Sequence, residues 1–289
     1  MPRRQLLVRA HRGRGGSIVT TTERRDDVAE GFRGSVFDVD GVLVDSPHEA
    51  AWRDALKELM ETEWDGVRAQ STWSPERFTP KVYQQVMSGK PRMSGALAAL
   101  EYFEVPDAGS RVEAYAERKQ AMVIELIEAG EFEAYPDALR FVLAVRAAGI
   151  RVAAASSSKN AGLFLRQIQL DTFAEAEGLS YDFVTPGLSL LDFFDADISG
   201  RDFAQGKPHP EIFLTAAQEL DVPPEATFVI EDAVSGIQAA KAGHMAALGI
   251  ARADDAEMLA GADADLVVTS LDDVDLDQLS HGRLAKRGG

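Results

Sequence analysis

Two acids two positions apart, Asp38 and Asp40, are the residues of this sequence best suited to chemistry, and Gly41 follows them. They come directly after the apolar run Ser35-Val36-Phe37, which predicts a short buried strand. Side chains two positions apart on an extended segment point the same way, and a glycine lets the chain turn sharply after them. One carboxylate could then attack phosphorus to form an aspartyl-phosphate while the other moves a proton. Taken alone, these residues favour an ordinary turn after a strand, because Asp is common in such turns.

A second acidic pair, Glu231 and Asp232, follows the apolar run Phe228-Val229-Ile230. Acids at the end of a buried strand are costly unless a metal or a base compensates their charge. With Asp38 and Asp40 they make a set of oxygen ligands, which suits Mg²⁺ above other metals. A helix N-cap is the ordinary alternative for Asp232, but it does not explain both acids.

A lysine and a serine complete the candidate chemistry. Lys207 lies between Gly206 and Pro208, so its backbone is restricted and its amine can supply the cation that the acids need. Ser156 ends a predicted strand, where its hydroxyl and the N–H groups of the next helix could hold a phosphoryl oxygen. Each also has an ordinary alternative, a solvated loop charge for the lysine and a helix cap for the serine.

The elements that must position these residues can be read from the apolar periodicity. Beyond Tyr135 helices alternate with short strands, and this alternation predicts a parallel sheet with helices on both faces. Because ligands bind at the carboxyl ends of strands in such sheets, we expect both acidic pairs and Ser156 to meet at one edge. The predicted strands after the first are Arg151–Ala155, Ala196–Ser199, Thr227–Ile230, Met245–Gly249 and Leu266–Val268.

A long helical block interrupts this alternation directly after the first strand. Its apolar residues recur at helical spacing with no strand between them, which indicates a cap inserted into the α/β core. The predicted parts are an α/β core over 34–47 and 131–275, a helical cap over 48–130, a disordered tail over 1–33 and a C-terminal tail over 276–289.

Composition limits the classes of function. The 289 residues carry 30 Lys and Arg against 47 Asp and Glu, a formal charge of −17, which disfavours nucleic acid or a membrane surface as a partner. The absence of cysteine excludes disulfides, thiolate metal sites and cysteine nucleophiles. No apolar run approaches the roughly 20 residues that span a bilayer, and no signal core is evident, so we expect a cytoplasmic protein.

Taken in chain order, the candidate residues resemble the four motifs of the haloacid-dehalogenase superfamily of phosphotransferases. The resemblance covers about residues 34–275, and three longer stretches, Ala155–Asn160, Lys207–Phe213 and Glu231–Ala239, are similar to the β-phosphoglucomutase branch. It implies a Rossmann-like parallel sheet core with an inserted helical cap domain, an α/β fold, with Mg²⁺ as cofactor and a phosphoaspartate intermediate.

The resemblance also implies a role for each motif residue. Asp38 would be the nucleophile and a metal ligand, and Asp40 the general acid and base, whose carbonyl also binds the metal. Ser156 and Lys207 would hold the phosphoryl group, and Glu231 and Asp232 would complete the metal shell.

Candidate substrate contacts lie in the cap and in the serine motif. His48 stands four residues before Trp52, as a hinge histidine does in the sugar-phosphate mutases, although a histidine that merely starts a helix fits almost as well. Lys90 and Arg92 lie on a Gly- and Pro-bracketed loop that suits a second phosphate, with a solvated turn as the alternative. The motif that holds Ser156 also offers Ser157 and Asn160.

These features predict a Mg²⁺-dependent phosphatase acting on a small phosphorylated metabolite, a sugar phosphate in particular. A β-phosphoglucomutase-type mutase would use the same residues, and a catalytically silent binding protein is disfavoured because the whole set is present. Two departures from the mutase pattern favour the phosphatase. The segment around Pro47 and His48 is shortened, and about 20 residues between Leu170 and Leu190 look like an insertion of no assigned role.

Overall fold

The computed structural model describes residues 9–12, 18–21, 31–87 and 90–288. The chain divides into two compact units, residues 1–30 and 31–289. Within the first, strands β1 (Arg9–Arg12) and β2 (Ile18–Thr21) pair antiparallel. The remainder of the predicted tail up to residue 30 lies outside the described residues.

A parallel sheet forms the centre of the second unit. Its strands lie in the order β10-β9-β8-β3-β6-β7, while β4 and β5 pair separately and antiparallel. The predicted α/β fold with a parallel sheet and an inserted helical cap is therefore confirmed. The bounds of the strands are β3 Gly34–Phe37, β4 Val44–Asp45, β5 Glu133–Ala134, β6 Arg151–Ala154, β7 Ala196–Asp197, β8 Thr227–Glu231, β9 Ala246–Ile250 and β10 Leu266–Val268.

Helices account for most of the remaining described chain. Five of them, α1 to α5, lie between β4 and β5 in the sequence and form the cap. The bounds are α1 His48–Glu61, α2 Asp65–Arg68, α3 Pro80–Val86, α4 Arg92–Tyr102, α5 Ala108–Glu128, α6 Pro136–Ala147, α7 Ala161–Gln167, α8 Leu170–Ala176, α9 Leu190–Phe193, α10 Glu211–Glu219, α11 Val234–Ala242, α12 Ala256–Gly261 and α13 Leu276–Leu279. None of the helices described is both long and apolar enough to cross a membrane.

Strand β3 lies inside the sheet, between β8 and β6, and its side chains are buried on both faces. Phe37 packs against the rings of Phe141 and Phe194 on one face. Val36 belongs to the apolar cluster on the other face, together with Phe213 and Val229. A strand buried on both sides reads as a continuous apolar run, as the sequence from Val36 to Phe37 does. The acids that follow β3 therefore begin in the middle of the sheet.

The cap has an apolar core of its own. Trp52 of α1 packs edge-on against Tyr115 of α5, with 5.0 Å between the ring centroids. The hydroxyl of Tyr115 donates a hydrogen bond to the carbonyl of Trp52 at 2.8 Å. The β4–β5 pair joins Val44 to Ala134, so both chain connections to the cap leave the core side by side.

The core extends beyond both predicted limits. Phe32 is 7% exposed, and its ring lies 5.0 Å from that of Phe228. At the other end Leu279 is fully buried and accepts a hydrogen bond from the Phe32 amide through its carbonyl. Gly31–Arg33 and residues 276–284 therefore pack on the core rather than forming tails. A single aromatic residue in a polar run shows no periodicity, which explains why the sequence pattern missed it.

The expected insertion between Leu170 and Leu190 contains α8 and a returning loop. Leu170 and Leu188 join its ends through a hydrogen bond of 2.8 Å. The rings of Tyr181 and Phe183 stack at 5.0 Å, and Phe183 contacts Phe193 of α9. The segment follows α7 and precedes β7, so it lies towards the amino ends of the strands.

We expect Phe32→Ala to lower the free energy of unfolding by about 3 kcal/mol, because it removes a buried ring and leaves a cavity against Phe228. Urea unfolding of the full chain measures the change. The control is Met258→Ala, whose side chain is 61% exposed and whose effect should stay within about 0.5 kcal/mol. Equal midpoints for the two variants would contradict the packing of Phe32 on the core.

Candidate active site

The carboxyl ends of three neighbouring strands bring the predicted motif residues together. In the sheet register Phe37 of β3 is level with Ile230 of β8 and with Ala154 of β6. The next residues along each strand are therefore level too, and they include Asp38, Glu231 and, two positions after β6, Ser156. The expected convergence of the acids and the serine at one edge of the sheet follows from this register.

A buried lysine lies between two of these acids. The Nζ atom of Lys207 is 2.6 Å from Oδ1 of Asp38 and also contacts Oε1 of Glu231. It lies 4.9 Å from the centre of the Phe213 ring, which forms an apolar floor. The exposed fractions of these side chains are 12% for Lys207 and 1% for Glu231, so both ion pairs are shielded from water.

The acids carry more negative charge than Lys207 can balance. Burial, with the charges of Glu231 and Asp40 added, raises the pKa of Asp38 to about 7 despite Lys207. Burial, with the charges of Glu231 and Asp38 added, also raises the pKa of Asp232 well above its usual value despite Lys207. For Lys207, burial opposes the charged form, but Asp38 and Glu231 outweigh it and raise the pKa of the amine. A further cation near Asp38 and Asp232 would relieve this repulsion.

Two glycines allow the acids to approach the backbone closely. Gly41 has φ +81°, and a Cβ there would overlap the carboxylate of Asp232. A Cβ at Gly236, in the first turn of α11, would overlap the side chain of Glu231. Asp232 therefore reaches across the turn that follows Asp40, whereas Glu231 is held beneath α11 and accepts a hydrogen bond from the Ala233 amide at 3.0 Å.

Asp40 lies between the core serine and the cap. Its Oδ2 accepts a hydrogen bond from Oγ of Ser156 at 3.3 Å. Its Oδ1 is buried and has no hydrogen-bond partner among the described residues, and Nε2 of His48 is 3.6 Å away. The carboxylate is thus held on one side and available to a proton donor or acceptor on the other.

His48 and a lysine of α5 form a buried pair above Asp40. The Nδ1 atom of His48 is 3.4 Å from Nζ of Lys119, and that amine lies 5.0 Å from the centre of the Trp52 ring. Burial lowers the pKa of His48 to about 4, with Asp40 opposing the shift and Lys119 adding to it. Burial also lowers the pKa of Lys119 to about 8. The charge of Asp40 opposes this shift, and the charge of Arg92 adds to it. The imidazole is therefore neutral near pH 7.

Lys119 is a residue that the sequence reasoning missed. It falls on the buried stripe of α5 with Val112, Tyr115, Ala116 and Val123. A lysine at such a position is unusual, because lysine is rarely buried without a partner. The break in the apolar stripe was the signal that could have identified it.

The remaining predicted substrate contacts occupy different environments. Asn160 is buried, and its Oδ1 accepts a hydrogen bond of 2.6 Å from Gln120 of α5, a contact between core and cap. Ser157 and Lys90 are exposed. Arg92 is also exposed and begins α4, and its charge helps to lower the pKa of Lys119.

The donor set is compatible with Mg²⁺, although no ready cage exists. Among residues 31–87 and 90–288 no three His, Asp or Glu side chains converge on one cation position. Glu231 is engaged by Lys207 and by the Ala233 amide. Asp38 and Asp232, with the carbonyl of Asp40, remain as the oxygen donors that could hold the ion, and the excess negative charge on them suits a hard cation.

Comparisons with known proteins agree with this geometry. The family described as haloacid dehalogenase-like hydrolase matches residues 32–244. A β-phosphoglucomutase of Mycobacterium bovis is 33% identical over 84% of this chain and 91% of its own length. A phosphorylated carbohydrates phosphatase of Thermotoga maritima is 29% identical over 71% of this chain and 79% of its own.

A solved structure supports the same assignment. The archaeal β-phosphoglucomutase from Pyrococcus sp. Strain ST 04 has a TM-score of 0.62 and 32% sequence identity, covering 85% of this chain and 96% of that one. The likeness extends across the core and the cap. The chain belongs to the haloacid dehalogenase-like hydrolases, in their β-phosphoglucomutase-like branch.

Proposed function

We propose that this protein transfers the phosphoryl group of a sugar phosphate through Asp38, with Mg²⁺ as cofactor, and that it acts as a mutase of the β-phosphoglucomutase type. The observation that carries the proposal is the position of Asp38 at the end of the central strand, paired with buried Lys207 at 2.6 Å. Asp40, two residues on, lies under His48 of the cap. A nucleophile and a group that can move a proton are thus set side by side.

The first step follows from these positions. The carboxylate of Asp38 attacks phosphorus, the bond from phosphorus to the sugar oxygen breaks, and Asp40 gives a proton to the departing oxygen. Ser156 and Lys207 hold the non-bridging phosphoryl oxygens. When bound, Mg²⁺ would offset the repulsion between the phosphate and the acids. In the second step Asp40 takes a proton from a hydroxyl of a bound sugar phosphate, and that oxygen receives the phosphoryl group from Asp38. The sugar bisphosphate formed in this way can return its other phosphoryl group to Asp38, which leaves the isomerised sugar phosphate.

The contacts between the cap and Asp40 support a sugar hydroxyl as the acceptor. A mutase must keep its phosphoaspartate from water while the sugar is bound, which needs a cap that closes over the site. His48 and Gln120 both link cap helices to groups at the sheet edge. The shortened segment before His48 does not prevent this contact. That departure from the mutase pattern is therefore no longer an argument for a phosphatase.

Hydrolysis is the second candidate. The Asp40 side chain is 23% exposed, so water can reach the group that would activate it. The relative from Thermotoga maritima is named a phosphatase of phosphorylated carbohydrates. Hydrolysis would use the same first step and would differ only in the acceptor.

We expect Asp38→Asn to abolish formation of the phosphoenzyme and to reduce turnover by about 10⁴-fold or more, because the amide keeps the shape but loses the nucleophilic charge. Mass spectrometry of acid-quenched protein after incubation with a sugar phosphate and Mg²⁺ measures the modification. Asp54→Asn, an isosteric change at a half-buried residue on α1 of the cap, should leave it intact. Phosphorylation that persists in Asp38→Asn would refute the mechanism.

Phosphorus NMR separates the two acceptors. With β-glucose 1-phosphate, Mg²⁺ and a trace of the 1,6-bisphosphate, we expect glucose 6-phosphate to form without inorganic phosphate. Arg92→Ala should slow this isomerisation by about 10-fold or more and affect hydrolysis of a small phosphate ester less, because only the sugar bisphosphate has a distal phosphate. Arg53→Ala is the matched control on the cap. Inorganic phosphate as the main product would establish hydrolysis instead.

His48 should make stability depend on pH. Its pKa is about 4 in the folded chain against 6.5 ordinarily, so the unfolded chain binds the proton more readily between these values. The free energy of unfolding should therefore fall by up to about 3 kcal/mol on this account as pH drops from 6.5 towards 4.

Urea unfolding at several pH values measures this effect as the difference between wild type and His48→Gln, with exposed His281→Gln as the control. The His48→Gln difference should change with pH and the His281→Gln difference should not. A constant difference for His48→Gln would show that the imidazole is not held in its neutral form.

A further inference from the structure

Arg252 follows β9 and contacts the turn that comes directly after Asp38 and Asp40. Its Nε donates to the carbonyl of Gly41 at 3.3 Å, and its Nη2 donates to the carbonyl of Val42 at 3.0 Å. Gly41 and Val42 come directly after Asp40 in the chain. The side chain of Arg252, far away in the sequence, thus binds two successive carbonyls of the turn at residues 41–43, which we call the catalytic turn.

The other side of the guanidinium is equally fixed. Its Nη1 donates to both carboxylate oxygens of Asp137, at 3.0 and 2.9 Å. Asp137 is 8% exposed and also accepts the Leu271 amide at 2.8 Å. The guanidinium carbon lies 3.8 Å from the centre of the Tyr135 ring. A planar fork held on a carboxylate and a ring has little freedom, so Arg252 is a rigid support and not a mobile surface charge.

The position of this turn determines how the acids face each other. Asp38 and Asp40 precede it, and the carboxylate of Asp232 lies directly over Gly41. A displacement of Gly41 would therefore change the separation between Asp232 and the two acids before the turn. Asp38 and Asp232, with the carbonyl of Asp40, are the oxygen donors assigned to Mg²⁺.

We propose that Arg252 is a positioning residue, which acts through the carbonyls of Gly41 and Val42 to hold the catalytic turn against Asp232. Asp137 and Tyr135 anchor it in this role. The inference deepens the proposed function and rests on it for its catalytic consequence, but the support of the turn is a property of the chain itself.

Arg146 provides a matched control. It also donates to a carboxylate, that of Asp195 at 3.0 Å, and to a backbone carbonyl, that of Phe193. Its guanidinium carbon lies 4.7 Å from the centre of the Phe193 ring. Phe193 and Asp195 come just before β7, so these contacts lie at the amino edge of the sheet. Loss of the Arg146 side chain therefore measures the general cost of removing such an arginine.

The catalytic test compares Arg252→Met, Arg252→Lys and Arg146→Met. We expect Arg252→Met to lower kcat by about 100-fold with a nearly unchanged KM for the sugar phosphate, because a small misplacement of reacting groups has effects of this size. Its Mg²⁺ affinity by calorimetry should fall about 10-fold. Arg252→Lys should recover part of kcat, and Arg146→Met should match wild type. Wild-type kinetics and Mg²⁺ affinity in Arg252→Met would overturn the proposal.

Amide hydrogen exchange tests the turn without any substrate. The amides of Leu43 and Val44 donate to the carbonyl of Val39, at 2.9 and 3.0 Å, and report on the same turn. We expect exchange in peptides over residues 38–44 to be about 10-fold faster in Arg252→Met than in Arg146→Met, because a lost support favours local opening. Equal exchange in the two variants would overturn the proposal whatever the activity.

Failure of the proposed function gives a different pattern. Wild-type protein that neither binds Mg²⁺ nor transfers a phosphoryl group would refute the function, and the exchange comparison would still decide whether Arg252 holds the turn. Should Arg252→Met not fold, Asp137→Asn keeps the shape of the anchor and weakens it. It is expected to raise exchange over residues 38–44, and unchanged exchange in a folded Asp137→Asn would overturn the proposal.

Discussion

The ammonium of Lys207, buried between Asp38 and Glu231, is the interaction on which the geometry of the site depends. Without it, two carboxylates would face each other away from water, an arrangement whose electrostatic cost is large. The central position of β3 supplies Asp38, the end of β8 supplies Glu231, and the loop before α10 supplies the amine. The order of the strands in the sheet thus serves mainly to bring these three groups to one place. The negative charge that Lys207 leaves unbalanced favours a cation, and under the proposed function Mg²⁺ would offset the repulsion between these acids and a phosphate dianion.

The cap contributes a second, weaker set of charges over the same edge. His48 is neutral, and Lys119 has lost part of its basicity, because both are buried. A neutral imidazole beside Asp40 can accept or share a hydrogen bond without adding a charge that would trap the phosphate. The cap therefore acts on Asp40, the proposed proton-transfer group, whereas the core holds Asp38, the proposed nucleophile. This division agrees with the three apolar clusters, one in the cap and two on the faces of the sheet.

Much of this arrangement could be predicted because local patterns encode it. An apolar strand followed directly by acids is visible in the sequence, and parallel topology then brings Asp38, Ser156 and Glu231 to one edge. The contribution of Arg252 could not be predicted, since it depends on contacts between segments far apart in the chain. The break in the apolar stripe of α5 marks Lys119 in the sequence, but it does not reveal His48 as its partner. Phe32 was missed for the same reason, because its partner Phe228 lies almost two hundred residues away. Packing between two residues far apart in the chain does not produce a periodic pattern of apolar residues in the sequence.

The pairing of β4 with β5 has a consequence for how such a protein can change over generations. Because the inserted segment leaves and returns at adjacent positions, its length does not alter the distance that the core must bridge. Mutations, deletions or replacements within the cap can then be selected for a new substrate without disturbing the strands that carry the candidate catalytic residues. In this fold the residues of the core and the residues of the cap can therefore change independently during evolution. One ancestral core can in this way give rise to enzymes with many substrates.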